Sequence, residues 1–252
     1  MTTHRREVIN LYIQSKGEVR LKELESMLPD VSSMTIRRDL EYLEQRGEIV
    51  RTRGGAKSIA HLSMLKEAAY TQRMSENTEA KLLIAEKATK FVVAGRSLFI
   101  DSGTTSMYFA QKLNDENLFV LTSSPNVAME LIKFPNVKVS LTGGKLNRDT
   151  MSLSGYNAVE YIKEINIDIA FMAASAFSTN SGFTCGDYFE AEIKKLVIKK
   201  AHTVIMMMDV SKSDCGMPYT FSRVQDIDVL ITDQPLPEKV AKAMKQARIT
   251  VI

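Results

Sequence analysis

The stretch Val31–Gly47 reads VSSMTIRRDLEYLEQRG, and the fold of the N-terminal region depends on it. Within it, Ile36, Leu40 and Leu43 stand at i, i+4 and i+7, the spacing of one apolar face of an α-helix. The residues outside this face are polar or charged: Ser33, Arg37, Arg38 and Glu41. The pattern predicts an amphipathic helix that packs on one side and presents arginines on another.

Ser32 precedes the periodic run and is a residue type that caps helix N-termini. The first helical turn would then present free backbone N–H groups together with Ser33, Thr35 and Arg37. Such a helix end suits the phosphates and base edges of nucleic acid. Taken alone, an amphipathic helix with two arginines is more often an ordinary surface helix, so the neighbouring sequence decides between the two interpretations.

After this helix, Glu48–Lys57 reads EIVRTRGGAK, a short β-prone segment with two arginines and a Gly-Gly turn, which predicts a basic wing. A short helix, a turn, the arginine-bearing helix and this wing, with TIRRDL followed by RGGA, resemble the N-terminal domain of the DeoR family of bacterial transcription regulators. The resemblance implies a winged helix-turn-helix that binds double-stranded operator DNA. The residues expected to contact DNA are Ser33, Thr35, Arg37, Arg38, Arg51 and Arg53.

The length of 252 residues exceeds that of a lone winged helix-turn-helix, so a second domain is expected. A hydrophobic content of 44% and a charged content of 25% are typical of a globular protein that buries a core. The net charge is only +3, so any nucleic-acid surface must be local. From Ser32 to Lys57 there are 6 basic and 4 acidic residues, which supports such a surface modestly.

The cysteines and histidines do not spell out a metal site. Cys185 and Cys215 lie far apart with no CxxC motif, and the three histidines are scattered. We expect reduced thiols, with a redox-sensing regulator as the alternative, and no cofactor. The N-terminal sequence MTTHRREVINLYI is too polar for a signal peptide, and no apolar run approaches the ~18 residues of a membrane span, so a cytoplasmic protein is expected.

Along the chain, helical spacing predicts helices over about 5–15 and 21–28. We assign 1–57 to the DNA-binding domain, 58–75 to a linker and 76–252 to a second domain, which begins with a helix over 76–93. Short apolar runs then alternate with helical stretches, which favours an α/β domain with a mostly parallel sheet. The runs are 98–100, 118–121, 137–141, 167–172, 204–208, 229–231 and 249–251.

Small polar residues follow four of these runs, at 101–106 (DSGTTS), 122–124 (TSS), 142–145 (TGGK) and 209–212 (DVSK). Open parallel sheets bind ligands at the carboxyl ends of their strands, and a glycine-containing turn that opens a helix suits a phosphate. Lys145 or Lys212 could supply positive charge. No P-loop or dinucleotide motif is present. Asp187 and Glu190 are interpreted as a capping box in preference to ligand contacts.

The second domain also resembles the DeoR family, in DSGTTS, LTGGKL, the stretch Asp168–Thr184, EAEIKK and DVSK. The family's sensing domain is similar in fold to ribose-phosphate isomerases and generally answers to phosphorylated sugars. The resemblance implies phosphate contact by Gly103, Thr104 and Thr105 and a ligand-facing role for Asp101 and Lys212. The other residues expected to bind effector are Ser123, Gly143 and Gly144. Ser106 and Ser123-Ser124 depart from the family pattern, and the second departure could alter hydroxyl recognition.

These features predict a homo-oligomeric regulator, most simply a repressor of a carbohydrate or polyol utilisation operon, controlled by a phosphorylated sugar or polyol. Oligomers are expected because two recognition helices must reach successive major grooves. The alternative is a sugar-phosphate isomerase or deaminase carrying a DNA-binding module, with acid–base groups chosen from Asp101, Asp187, Glu190, Glu192 and Lys212. No His or Cys base stands beside the strand-end loops, which weighs against an enzyme.

Overall fold

The structure is a computed structural model that describes residues 2–46, 48–52, 54–58 and 68–252. The chain divides into two compact units, Met1–Lys66 and Glu67–Ile252. This division falls within the segment 58–75, for which a linker was predicted, and residues 59–67 of that segment lie outside the described residues.

The described part of the first unit consists of helices and a small antiparallel sheet in which β3 lies between β1 and β2. Its elements are α1 (Thr2–Lys16), β1 (Glu18–Arg20), α2 (Leu21–Met27), α3 (Ser33–Gln45), β2 (Ile49–Thr52) and β3 (Gly55–Ser58). The last two strands form the predicted wing, whereas β1 was not predicted. Gly55 permits the sheet, because a Cβ there would lie 1.9 Å from the carbonyl oxygen of Val19.

One hydrophobic cluster holds this unit together. The apolar face predicted for α3 is buried and packs against Ile9 and Ile13 of α1, Leu24 of α2 and Ile49 of β2. Burying side chains of this size contributes about 1.5–3 kcal/mol each. The cluster therefore fixes which side of α3 remains exposed to solvent.

The second unit is an α/β domain. Its helices are α4 (Tyr70–Ser75), α5 (Thr78–Thr89), α6 (Thr104–Lys112), α7 (Pro125–Leu131), α8 (Tyr156–Lys163), α9 (Tyr188–Lys200) and α10 (Glu238–Gln246). Its strands are β4 (Ser97–Ile100), β5 (Leu118–Thr122), β6 (Val137–Leu141), β7 (Lys145–Asn147), β8 (Ser152–Ser154), β9 (Ile169–Ala173), β10 (Ala176–Ser178), β11 (Gly182–Cys185), β12 (Thr203–Met207), β13 (Tyr219–Ser222), β14 (Val229–Ile231) and β15 (Thr250–Val251).

Each of the seven predicted apolar runs forms a strand of one sheet, in the order β15-β14-β12-β9-β4-β5-β6. Its neighbouring strands pair in parallel, which confirms the predicted fold class. The strand order reverses at β4, because β5 and β6 lie to one side of it and β9 lies on the other. The carboxyl ends of β4 and β9 therefore form the topological switch point at which such sheets bind ligands.

Hydrophobic residues cover both faces of this sheet. Along β4, Leu98 and Ile100 pack with α5, α6 and α7, while Phe99 packs with the opposite layer, which contains α8, α9 and α10. The methionines Met206–Met208 follow the same alternation and are fully buried. They fill a strand that is buried on both faces.

The structure differs from the sequence prediction before β4. The helix predicted over 76–93 is shorter: it begins after Asn77, whose left-handed backbone (φ 49°) separates α4 from α5, and it ends at Thr89. The small sheet β10-β11-β13 and the β7-β8 hairpin were not predicted either. None of the helices in the described ranges is long and apolar enough to cross a membrane.

Candidate functional site

The recognition helix α3 begins as predicted. The Ser32 hydroxyl accepts a hydrogen bond from the Thr35 backbone N–H at 3.3 Å, and the two hydroxyls lie 2.9 Å apart. Three of the predicted DNA-contacting residues are exposed, namely Ser33, Arg37 and Arg38, whereas Thr35 is half-buried. Within the described residues, neither arginine forms an ion pair with a carboxylate. Their positive charges are therefore available to a phosphate or a base edge.

Arg51 lies on the wing but is already paired. Its Nε donates to Glu44 Oε2 at 2.7 Å and its backbone N–H donates to Glu44 Oε1 at 2.9 Å. These hydrogen bonds, the backbone one foremost, lower the pKa of Glu44. Arg51 thus ties β2 to the recognition helix. Arg53, the other wing arginine expected to contact DNA, lies outside the described residues.

Asp39 is a residue whose role the sequence analysis missed. It is 1% exposed, and its two carboxylate oxygens accept hydrogen bonds from Arg5 Nε at 2.6 Å and Arg6 Nε at 2.8 Å. The sequence did contain a signal for this role. Asp39 stands three residues after Ile36 and four before Leu43, so it is a charged residue on the apolar face of the helix. The carboxylate fastens α1 to the recognition helix.

Replacing Asp39 with asparagine is expected to destabilise the first unit by about 2 kcal/mol at pH 7, because charge-assisted hydrogen bonds to two arginines are lost. Burial opposes the charged carboxylate, but the hydrogen bonds from Arg5 and Arg6 outweigh it and lower the pKa of Asp39. A lowered folded pKa means that the stabilisation is present above the unfolded pKa of about 3.9 and is lost as pH falls through the folded value.

The measurement is thermal unfolding of the full-length chain, followed by circular dichroism over a pH series. The difference between variant and wild type should shrink below about pH 4. Glu41→Gln is the matched control, because Glu41 lies on the exposed side of the same helix. An Asp39→Asn variant as stable as this control at pH 7 would contradict the assigned role.

In the second unit, a small polar cavity lies at the switch point between β4 and β9. We call it the α6 cavity, and its lining residues are Arg73, Ser102, Gly103, Thr104, Thr105, Thr150, Ala173, Ala174, Ser175, Glu190, Lys194 and Lys212. Three of its side chains are cations and one is a carboxylate.

The first turn of α6 forms one wall of this cavity. Gly103 has φ 117°, a backbone conformation that favours glycine, and it aims the helix N-terminus at the cavity. The backbone N–H groups of a first helical turn lack helical partners and attract anions. Thr104 and Thr105 are both buried, and the Thr105 hydroxyl has no hydrogen-bond partner among the described residues. A buried hydroxyl without a partner is costly unless a ligand or water satisfies it.

Lys194 of α9 is the most buried cation of the α6 cavity, at 2% exposure. Its ammonium donates to the Asp101 carboxylate and to the Ala173 carbonyl at 3.0 Å, and it lies 3.2 Å from Glu190 Oε1. Burial lowers its pKa, but the charges of Asp101 and Glu190 outweigh burial, so the net shift is upward. Lys194 therefore stays protonated and contributes a fixed positive charge.

Asp101 does not line the cavity, although the resemblance had implied a ligand-facing role. Its carboxylate is fully buried and also accepts hydrogen bonds from the backbone N–H groups of Ser102 and Ala173, each at 2.9 Å. With Lys194 added, these partners occupy both oxygens. Asp101 thus holds Lys194 and the ends of β4 and β9 in place behind the cavity.

The other predicted effector residues divide into two groups. Lys212 lines the α6 cavity, and its ammonium lies 3.3 Å from Asp209 Oδ2. Ser123, Gly143 and Gly144 do not line it. Gly144 instead permits close packing, because a Cβ there would lie 2.4 Å from the Ser154 carbonyl oxygen. These three residues follow β5 and β6, which lie on the side of β4 away from β9.

The capping interpretation holds for one of its two residues. The Asp187 carboxylate accepts from the Glu190 backbone N–H at 2.9 Å and caps α9, as predicted. The Glu190 carboxylate, however, lines the α6 cavity beside Lys194. Lys194 stands three positions after Ala191 and three before Val197, on the buried face of α9. A charged residue on an otherwise apolar helix face was the signal that could have identified it. Arg73 gave no comparable signal, because it stands in the segment interpreted as a linker.

The His, Cys, Asp and Glu side chains of the described residues do not form a metal site. Cys185 is fully buried, and burial raises the pKa of Cys215, which lowers the reactive thiolate fraction. Cys185 and Cys215 do not form a disulfide bond with each other, and the burial of Cys185 together with the raised pKa of Cys215 weighs against the redox-sensing alternative. Across the described residues, no group of three or more His, Cys, Asp or Glu side chains could hold a metal ion.

A winged helix-turn-helix with exposed recognition arginines, followed by an α/β unit with a cation-lined cavity, defines a ligand-responsive DNA-binding protein. Comparison with protein families agrees: residues 5–61 match the DeoR-like helix-turn-helix domain and residues 76–234 match the DeoR C-terminal sensor domain. The chain belongs to the DeoR family of transcriptional regulators.

Full-length relatives support this assignment. The chain is 35% identical over 251 residues to the HTH-type transcriptional regulator GlpR of Haloferax volcanii, covering 98% of this chain and 96% of that protein. It is 31% identical to the regulator GolR of Listeria innocua, covering 97% and 95%. It is 29% identical to a putative aga operon transcriptional repressor of Escherichia coli O157:H7, covering 100% and 93%. The protein is thus a transcriptional regulator, and the alternative of an isomerase or deaminase is set aside.

Among solved structures, ribose 5-phosphate isomerase A of Methanocaldococcus jannaschii is similar over 55% of each chain, with a TM-score of 0.41 and 19% identity. This likeness is too distant to carry any statement about function.

Proposed function

We propose that this regulator represses a carbohydrate or polyol utilisation operon and that a phosphorylated sugar or polyol, bound in the α6 cavity, controls its affinity for operator DNA. The single observation that carries the proposal is the buried hydroxyl of Thr105, a residue that lines the cavity at a helix N-terminus, because this hydroxyl has no hydrogen-bond partner among the described residues. The phosphoryl group supplies the acceptor oxygens that this hydroxyl and the first-turn N–H groups lack.

The charged side chains of the cavity support the same class of effector. Arg73, Lys194 and Lys212 bring positive charge to the cavity, which suits a phosphate dianion. Glu190 supplies a hydrogen-bond acceptor, which suits the hydroxyls of a sugar or polyol. The E. coli relative is named as the repressor of an operon, which supports repression here. The sign of the effector's action, relief of repression, follows from the family resemblance.

On DNA, two or more subunits would place α3 in successive major grooves, with Arg37 and Arg38 on phosphates or guanine edges and the wing beside them. We therefore propose a homo-oligomer that acts in the cytoplasm, where bacterial operator DNA lies. The effector needs to favour one conformation by only about 1–3 kcal/mol to change operator affinity by about 5- to 150-fold.

Replacing Thr105 with valine is expected to weaken effector binding by about 10- to 150-fold, because a hydrogen bond to a charged phosphoryl group is worth about 1.5–3 kcal/mol. Operator binding without effector should be unchanged, since Thr105 lies in the second unit. The measurement is isothermal titration calorimetry with the sugar phosphate that most stabilises the wild type.

Ser106→Ala is the control for this substitution. Ser106 is the next residue of the same helix and is also buried, but it does not line the α6 cavity. It should bind effector with wild-type affinity. Equal affinities of Thr105→Val and wild type would remove the α6 N-terminus from the proposed site.

A further inference from the structure

Arg73 connects the α6 cavity to the start of the second unit. It lies on α4, a short helix close to the segment through which the chain reaches the first unit. Its side chain lines the cavity, and its Nε donates to the carbonyl oxygen of Ala68 at 2.9 Å. Ala68 is the second residue of the second unit. One guanidinium therefore reaches both the proposed effector and the residue at which the chain enters this unit.

The rest of α4 is held by contacts that do not involve the cavity. The Tyr70 backbone N–H donates to the Asp149 carbonyl at 2.9 Å, and the Tyr108 hydroxyl donates to the Met74 carbonyl at 3.1 Å. The buried Lys81 ammonium donates to the carbonyl oxygens of Arg73 and Glu76. The helix is thus anchored to α5 and α6, and the Arg73 side chain holds the Ala68 carbonyl.

The charges around Arg73 favour ordering of its side chain when an anion binds. Burial, together with the charge of Lys212 and a smaller contribution from Arg73, lowers the pKa of Lys81 to about 8, against the opposing charges of Asp209 and Glu76. The ammonium of Lys81 is therefore repelled by the positive charges of both Lys212 and Arg73. A phosphoryl group would offset that repulsion and order the guanidinium through two parallel hydrogen bonds.

We propose that Arg73 is the residue that transmits effector binding to the chain leading to the DNA-binding unit. A phosphoryl group at the α6 N-terminus binds the Arg73 guanidinium, fixes its side chain and thereby stabilises the bond from Nε to the Ala68 carbonyl. Occupancy of the cavity then determines how firmly residues 68–75 are held. This inference rests on the proposed function and adds the route by which the effector acts.

The test is hydrogen–deuterium exchange of the full-length chain with and without saturating inorganic phosphate, read in peptides that cover residues 68–76. In the wild type, phosphate should slow exchange there by about fivefold or more, the lower end of allosteric coupling. Arg73→Lys keeps the positive charge but lacks the planar fork that can hold an anion and a carbonyl together. It should bind phosphate, with at most tenfold weaker affinity by calorimetry, yet lose the slowing.

Lys212→Gln is the matched variant, because it removes a cation that lines the same cavity and whose ammonium is paired with Asp209. It should bind phosphate more weakly and still show the full slowing once saturated. Arg73→Gln provides a second Arg73 variant, and circular dichroism confirms that each variant is folded before exchange is measured.

The possible results separate the two proposals. Full slowing in saturated Arg73→Lys or Arg73→Gln overturns the role of Arg73 and leaves the effector class standing. If the wild type binds phosphate but hydrogen–deuterium exchange at residues 68–76 does not slow, the role of Arg73 is also overturned and the effector class still stands. A wild type that binds neither inorganic phosphate nor any sugar phosphate overturns the proposed function and this inference together.

Discussion

Replacing Asp101 with asparagine is expected to destabilise the second unit by about 3 kcal/mol, because the substitution leaves the buried Lys194 ammonium without its principal counter-charge. The two side chains are 1% and 2% exposed, so water cannot take the place of the carboxylate. Glu190 remains 3.2 Å away, which keeps the cost at the low end of the usual range of about 3–5 kcal/mol. Urea unfolding followed by circular dichroism measures this free energy.

Two further variants control this result. The triple variant Asp101→Asn/Glu190→Gln/Lys194→Met should regain at least half of the lost stability, because it removes the buried ammonium together with both carboxylates beside it. Glu192→Gln breaks the exposed pair of Glu192 with Lys195 on the same helix and should change stability by less than about 0.5 kcal/mol. An Asp101→Asn variant with the wild-type urea midpoint would show that Asp101 does not hold Lys194.

Replacing both Arg37 and Arg38 with alanine is expected to weaken operator binding by about 100-fold or more. Each arginine that contacts a base edge or a phosphate is worth about 1–3 kcal/mol, and the two contributions act together. The dependence of binding on salt concentration should also become shallower by about one unit for each lost phosphate contact. Fluorescence anisotropy with a duplex selected by the wild-type protein from random sequences measures both quantities.

Arg46→Ala is the control for the recognition helix. Arg46 follows α3 directly and is exposed, but its Nε lies 2.8 Å from Glu48 Oε1. Its charge is therefore matched within the protein, and its loss should leave operator affinity within about threefold of wild type. Wild-type affinity and salt dependence in the double Arg37/Arg38 variant would place the DNA-binding surface elsewhere.

Sequence reasoning was most successful where periodicity alone determines structure. The spacing of Ile36, Leu40 and Leu43 was sufficient for α3, because an amphipathic helix must bury its apolar face. The seven apolar runs likewise became the seven strands of the parallel sheet, since strands covered on both faces are apolar throughout. The glycine and threonines after β4 were also placed correctly, because a parallel sheet brings strand-end loops to one edge.

The residues that were missed depend on tertiary contacts between distant segments. Lys194 and Asp101 are 93 positions apart, and no local pattern pairs them. Arg73 reaches the cavity from a helix too short to give a periodic signal. Ser123, Gly143 and Gly144 were included because every strand-end loop was treated alike, whereas the cavity forms only where the strand order reverses between β4 and β9. The sequence predicted the edge of the sheet at which the α6 cavity lies, but the position of the switch point along that edge came from the structure.

The most direct test of the account is a thermal-shift screen of the purified full-length protein against sugar phosphates, polyol phosphates and their unphosphorylated parents. A ligand that binds only the folded state stabilises it by about 2.7 kcal/mol at a concentration of 100 times its dissociation constant. The account predicts that at least one phosphorylated compound raises the melting temperature while its unphosphorylated parent does not. Stabilisation by parent compounds alone, or by no member of the panel, would contradict the proposal that a phosphorylated effector binds the α6 cavity.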